Sequence, residues 1–237
     1  MPLNPFDLAL LSALNHGARH SWLFDRLVNF WSHEHLLKGG MLVAMLWWAW
    51  FRPGPCQPDA QRRLVATVAG TAAALAIGKL CQLAFGLRLR PIHAPGLEFV
   101  VPYGMSPVVL DGWSSFPSDH AILFGALSTG MLLISRRAGL LALAYSLIIV
   151  LLPRAYLLLH YPTDLIAGLA IGAATVWVAQ RTLAQGHAAS LIVAWADRRP
   201  EWAYPLMFLV SFQVAVLFDN VRAIATALIK AFGPHLL

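Results

Sequence analysis

Charge is what this chain has least of. Charged residues fill 12% of its 237 positions, against about 25% in soluble domains, which argues against a soluble globular fold. Cysteine is nearly missing as well. Cys56 lies in a short loop and Cys81 in an apolar run, so a disulfide framework is not expected. No Cys-x-x-Cys or mixed Cys/His ligand spacing occurs, which excludes cysteine-based zinc. The N-terminus lacks a cationic patch followed by an unbroken apolar core; residues 1–35 mix Asp, Arg and His with apolar side chains. No cleavable signal is expected, and the first span is expected to act as the insertion signal. The net charge is +6, yet no five or six basic residues stand together. They sit at the ends of apolar runs, the pattern of topology signals and headgroup contacts, and nucleic acid is not an expected partner. Internal repeats and low-complexity tails are absent, so one domain over 1–237 is expected.

Hydrophobic residues make up 59% of the chain, and the mean hydropathy is +0.65. A helix needs roughly 20 mostly apolar residues to cross about 30 Å of hydrocarbon. Six stretches meet or approach that length: 36–51, 64–85, 121–135, 139–152, 164–180 and 204–218. The expected fold class is therefore an all-α membrane protein, a bundle of about six transmembrane helices with an N-terminal interfacial amphipathic segment. Residues 3–31 carry apolar side chains at helical spacing, interrupted by Asp7, Asn15, Arg19, Asp25 and Arg26. This predicts one or two helices lying at the interface. The organisation expected is interfacial helices over 1–35, a helix core over 36–180, and a linker with the last span over 181–237. The linker has its own candidate interfacial helix near 188–195. Ala and Gly enrich 64–85, which is expected to be the central helix, because small residues let helices approach closely in lipid. Pro153 is expected to end the fourth span. Residues beyond 218, with Asp219, Asn220, Arg222 and Lys230, read as amphipathic, either extending the last span or lying on the surface.

With six spans, the polar connections 86–119 and 153–163 emerge on one face together with both termini. Loops 52–63, 136–138 and 181–203 emerge on the other. Topology alone thus gathers three polar clusters that are distant in sequence. Arg90 and Arg154 lie near span ends on the shared face. A charge at mid-span costs about 2.5–3.5 kcal/mol on insertion scales, less near an end, and an anion would offset it. The arginine fork suits phosphate oxygens. Arg88 is a third candidate, with headgroup contact as its alternative. Ser118 is a candidate N-cap, and the backbone donors beside it suit an anion. His120 is placed to protonate a leaving group. His160 precedes Asp164 by four residues, so the carboxylate can hold one ring nitrogen and leave the other to attack.

Arg90-Pro91, then Pro117-Ser118-Asp119-His120, then Arg154-x5-His160-x3-Asp164 together resemble the three-part signature of the type-2 phosphatidic acid phosphatase superfamily, which includes vanadium haloperoxidases. The resemblance spans about residues 60–180. The Ser-Asp-His and His-Tyr-Pro-x-Asp forms, with a segment ahead of the first span, are most similar to bacterial undecaprenyl-diphosphate phosphatases of that superfamily. It implies that His160 attacks phosphorus to give a phosphohistidine, Asp164 orients it, and His120 protonates the leaving oxygen and then activates water. It implies that Arg90, Arg154 and the Ser118 region hold the phosphate oxygens, with no metal or other cofactor, because arginines and amides stabilise the transition state. The family motif opens with Lys-x6-Arg-Pro, and Leu83 stands at the Lys position. Lys79, one turn back, and Arg88 are the candidates for that cation. Pro153 stands where the family usually has Ser. Asp119 replaces the commoner Gly and is unfavourable beside a phosphate unless it pairs with an Arg.

The implied partners are a lipid phosphate or diphosphate and the bilayer, in a bacterial inner membrane; the sequence carries no signal for oligomeric state. Phosphatidic acid, phosphatidylglycerol phosphate and lipid A are alternative substrates. A transporter or scaffold that kept the fold is the alternative of another class, and the joint presence of His120, His160 and Asp164 argues against it. The haloperoxidase relatives are soluble, so the spans argue against that branch. The face opposite the site carries Arg52, Arg62, Arg63, Arg136, Arg137, Arg181, Arg198 and Arg199, so the positive-inside rule predicts a site on the periplasmic side.

Overall fold

A computed structural model describes residues 4–106 and 108–217, and every regular element among them is helical. Helices α1 (Pro5–Asn15) and α2 (Trp22–His33) come first. A π turn (Leu36–Gly40) leads into α3 (Met41–Phe51), followed by the long α4 (Gln57–Phe85). An irregular connection with a single 3-10 turn (Pro91–His93) reaches α5 (Asp119–Ile134). Helix α6 (Arg136–Tyr145) continues through a π turn (Ser146–Leu151) into α7 (Leu152–Tyr156). Then come α8 (Pro162–Thr182), α9 (His187–Arg198) and α10 (Pro200–Ala215). Among the described residues three helices are long and apolar enough to cross a membrane, Gln57–Phe85, Arg136–Tyr156 and Pro162–Thr182, and Leu36–Phe51 and Asp119–Ile134 are shorter apolar helices. The protein is an all-α membrane bundle. The last expected span is helical as far as Ala215 and turns at Val216 and Leu217, short of the expected 218; residue 218 and the amphipathic reading beyond it lie outside the described residues.

The local start signals explain several boundaries. Asn4 and Ser21 cap α1 and α2 by accepting the N–H groups of Phe6 (3.0 Å) and Phe24 (3.3 Å). Helix α4 starts seven residues before the expected 64, because Pro58 stands in its first turn and Asp59 pairs with Arg62 (3.5 Å) and Arg63 (2.7 Å). The connection from α3 shrinks to 52–56. Pro153 does not end its helix. The π turn before it changes the backbone register, so Pro153 falls in the first turn of α7, where a missing N–H is tolerated.

The central helix is α5, not 64–85. Ile122, Leu123, Phe124, Ala126, Leu127 and Met131 are all fully buried. Helix α4 packs on α5 and α8 with one face, with lesser contacts to α3 and α9, and Leu80 and Leu83 on the opposite face are exposed. Helices α5 and α8 meet backbone to backbone. A Cβ on Gly172 would lie 2.1 Å from the Ile122 carbonyl, and one on Gly125 would lie 2.8 Å from the Leu169 carbonyl. This contact sets the starts of both helices, which carry His120 and Asp164, against each other.

The N-terminal helices pack over that same end. Asn15 and Val100 exchange two hydrogen bonds (2.7 and 2.8 Å), and Asn29 Nδ2 donates to Gly104 O (2.8 Å). The buried Asp25 accepts the N–H groups of Arg19 (3.0 Å) and Tyr103 (2.9 Å). The outward side of α2 exposes Trp22, Leu23, Phe24, Phe30 and Trp31, an apolar face suited to lipid.

Candidate active site

The site forms where α5, α7 and α8 meet the 86–118 connection. Helix α7 carries Arg154, and the chain must reverse within five residues to begin α8 at Pro162. Leu158 makes that reversal in the left-handed region (φ +59°), at a cost of about 1–3 kcal/mol for a residue with a Cβ. Surrounding bonds hold it there. Leu158 O accepts the Ile92 N–H (3.0 Å), and Arg154 O accepts the N–H groups of Leu159 (3.0 Å) and His160 (3.3 Å). His160 is thereby driven into the interior, only 4% exposed.

Its two nitrogens have different partners. Nδ1–H donates to Ser115 O at 2.9 Å, so the ring proton is assigned to that nitrogen and the lone pair to Nε2. Nε2 faces Arg90 Nη1 at 3.1 Å. The Asp164 carboxylate lies 3.8 Å from Nδ1, too far for a hydrogen bond, and acts on it through space. Ser115 fills the gap, donating its hydroxyl to Asp164 Oδ2 at 2.5 Å. Asp164 Oδ2 also accepts the Tyr161 N–H (3.0 Å) at the start of α8. Burial pushes the His160 imidazole below its ordinary value; Asp164 opposes that, while the cations of Arg90 and Arg154 add to it. His160 therefore rests neutral at pH 7 with a free electron pair.

Arg90 and Arg154 are both buried. Arg90 donates to Leu159 O (2.7 Å) and Ser114 O (3.3 Å), while its Nε has no protein partner among the described residues. Burial lowers its pKa to about 10, against the opposing pull of Asp164 and Asp119, so it stays cationic at neutral pH. Arg154 Nη2 donates to Ser32 O (2.9 Å) from the end of α2 and lies 2.6 Å from His120 Nε2. Each histidine thus sits at one guanidinium.

The remaining expected residues divide. Ser118 is fully buried and caps α5, its Oγ accepting the Ala121 N–H at 3.4 Å. Asp119 pairs with Lys79 (2.9 Å), and Gln82 bridges the two at 2.7 Å and 3.0 Å. Leu83, at the position of the family's Lys, is 81% exposed and points away. Arg88, expected as a phosphate contact, is engaged by carboxylates. It pairs with Asp164, lies 3.1 Å from Asp7 and stacks over the Tyr161 ring at 4.3 Å. The residues that sequence reasoning missed are Asp7, Ser32 and Ser115. Ser115 carries no motif signal, and Asp7 and Ser32 belong to helices read only as interfacial. Among the described residues no cluster of three His, Cys, Asp or Glu side chains is placed to hold a metal ion.

The sequence profile of the PAP2 superfamily matches residues 35–187, well over half of the chain. The chain belongs to that superfamily. No curated protein and no solved structure matches it. The matched region contains Lys79, Arg88, Arg90, Ser118, Asp119, His120, Arg154, His160 and Asp164, and it leaves out Asp7 and Ser32. PAP2 membership supports a membrane phosphoric-ester hydrolase acting on lipid phosphates.

Proposed function

We infer that the protein is a metal-independent lipid phosphatase that removes the terminal phosphate of a polyprenyl diphosphate such as undecaprenyl diphosphate. The observation that carries this reading is His160, neutral and buried, with its Nδ1–H donated to Ser115 O and its Nε2 beside the Arg90 guanidinium. Nε2 attacks phosphorus, the bond to the leaving lipid-phosphate oxygen breaks, and His120 gives that oxygen a proton. Water then attacks the phosphohistidine, His120 takes its proton, and inorganic phosphate leaves with the P–N bond broken. Arg90 and Arg154 hold the equatorial oxygens throughout. A diphosphate is favoured by the Ser118-Asp119-His120 and His160-Tyr161-Pro162-x-Asp164 forms of the motifs; Lys79, whose charge is taken up by Asp119 at 2.9 Å, does not carry that choice.

A panel of purified lipids tests the substrate class. Phosphate release in detergent with EDTA is expected to be at least about tenfold more efficient with undecaprenyl diphosphate than with phosphatidic acid, phosphatidylglycerol phosphate or lipid A, a margin of about 1.4 kcal/mol. The reverse order would reassign the substrate, and loss of activity with EDTA would overturn the metal-free chemistry.

The arginine bias between faces supports a periplasmic site in a bacterial inner membrane. In intact cells, with Cys56 and Cys81 replaced by Ser, a membrane-impermeant thiol reagent is expected to label Glu98→Cys and to spare Arg137→Cys. The opposite pattern would put the site in the cytoplasm.

A further inference from the structure

The geometry points to Asp7 of α1 as a positioning residue that holds Arg88 on Asp164, and through it sets the catalytic histidine. Asp7 is fully buried in the first turn of α1, and its carboxylate is bonded to groups outside that helix. Its Oδ1 accepts the Thr163 N–H at 2.9 Å. Its Oδ2 accepts the Thr163 hydroxyl at 2.7 Å and Arg88 Nη2 at 3.1 Å. The other arm of Arg88 pairs with Asp164 and reaches Thr163 Oγ1 at 3.3 Å. Two fully buried carboxylates therefore share one guanidinium, each holding a different nitrogen.

Two consequences follow. First, Tyr161, the N-cap residue of α8, offers no side-chain cap, so the Thr163 N–H is one of the donors left over at that helix start. Asp7 accepts it from another helix, which makes it a cap supplied in trans and fixes the turn that carries Asp164. Second, Arg88 is one-third exposed. Without Asp7 its free arm would turn to water, and the pairing with Asp164 would loosen. Asp164 is bound to Ser115 Oγ, whose carbonyl holds the His160 ring proton. The chain Asp7, Arg88, Asp164, Ser115, His160 is continuous, and its first member lies outside the region that the superfamily profile matches.

The inference rests on the phosphatase reading, and the experiment keeps the two apart. Wild-type protein in detergent must first release phosphate from a lipid diphosphate; silence there defeats the reading itself. With an active wild type, Asp7→Asn is expected to lower kcat about tenfold to a hundredfold, the range for partners that orient a functional group, with KM within about twofold. Asp7→Glu, which keeps the charge, should recover part of the loss. Asp7→Asn keeps an amide oxygen for the Thr163 N–H and loses only the charge toward Arg88, so made on top of Arg88→Gln it should add nothing. Rates are read on the monodisperse fraction. Unchanged kcat in Asp7→Asn, additive losses in the double variant, Asp7→Glu as poor as Asp7→Asn, or no folded Asp7→Asn protein would each overturn the role.

Discussion

His160→Ala is expected to abolish phosphate release, by at least about 10⁴-fold in kcat, while the protein still folds. Removing a nucleophile leaves only the binding groups, and their residual rate enhancement is small beside the whole. The side chain is replaced by a smaller one in a pocket whose walls are the Ser115 carbonyl and the Arg90 guanidinium. The Arg90 guanidinium keeps Leu159 O and Ser114 O as partners. Wild-type enzyme quenched in alkaline detergent during turnover should carry alkali-stable, acid-labile phosphate, and the variant none. Comparable phosphate release from the variant would remove the covalent mechanism. The direction of the His160 shift adds a second arm. Attack requires neutral Nε2, and burial holds the folded value below the ordinary one near 6.5. The acidic limb of kcat/KM should therefore lie below pH 6.5. Stability has the same sign. Between the folded and the unfolded value the unfolded chain binds a proton that the native state refuses, so stability contributed by this group is complete above about pH 6.5 and is lost as pH falls through that window. Thermal melting in detergent should show a steeper acid dependence for the wild type than for His160→Ala; identical profiles would contradict the shift.

How much of this was legible in the chain depended on the range of each interaction. The apolar runs predict helices because hydropathy is local, and among the described residues the six expected spans are helical except at Ser135, Val216 and Leu217. Their boundaries were legible only in part. Asp59 and Pro58 mark the true start of α4, yet the flanking Arg62 and Arg63 read as loop. The π turn ahead of Pro153 has no sequence signature, so the helix was expected to stop there. Arg90, Arg154, His120, His160 and Asp164 were legible as a set because a motif fixes residue types at spacings. Their partners were not. That Nδ1 of His160 bonds the Ser115 carbonyl and not Asp164 depends on where the 86–118 connection folds back. That Arg88 is shared by Asp164 and Asp7 depends on α1 docking on α8, a contact between residues 81 and 156 positions apart. The choice of α5 over 64–85 as the central helix follows from its shape. Glycine richness reports that a helix is approached closely somewhere, but not from how many sides.

That close approach sets up the second large effect. Gly172→Ala is expected to cost at least about 3 kcal/mol, the upper end for overpacking, because the obstacle is main chain and cannot rotate aside. The added Cβ would stand 2.1 Å from the Ile122 carbonyl, 2.8 Å from the Ala126 nitrogen and 3.0 Å from the Ile122 carbonyl carbon. Helices α5 and α8 can relieve this only by moving apart, and the small residues beside it leave no slack: a Cβ on Gly168 would meet Ala121 Cβ at 2.7 Å and Ser118 O at 2.8 Å. In lipid, where apolar side chains gain nothing by leaving the solvent, close packing of this kind is what holds helices together. Separation there would also pull Ser118 N–H from Asp164 O, now 3.4 Å apart, and so shift the start of α5, with His120, away from the start of α8, with Asp164. Thermal unfolding in detergent should show Gly172→Ala far below the wild type, and Gly172→Leu should give no monodisperse protein. Gly17→Ala is the matched control. Its Cβ would lie 3.5 Å from the Leu14 carbonyl and 3.8 Å from Tyr156, ordinary contact distances, so its melting should stay near the wild type. Any Gly172→Ala protein that remains folded should lose kcat more than its melting shift alone explains, since the displacement acts on the acid and on the carboxylate that positions the nucleophile. A Gly172→Ala that melts and turns over like the wild type would mean that the two helices do not meet backbone to backbone at the site.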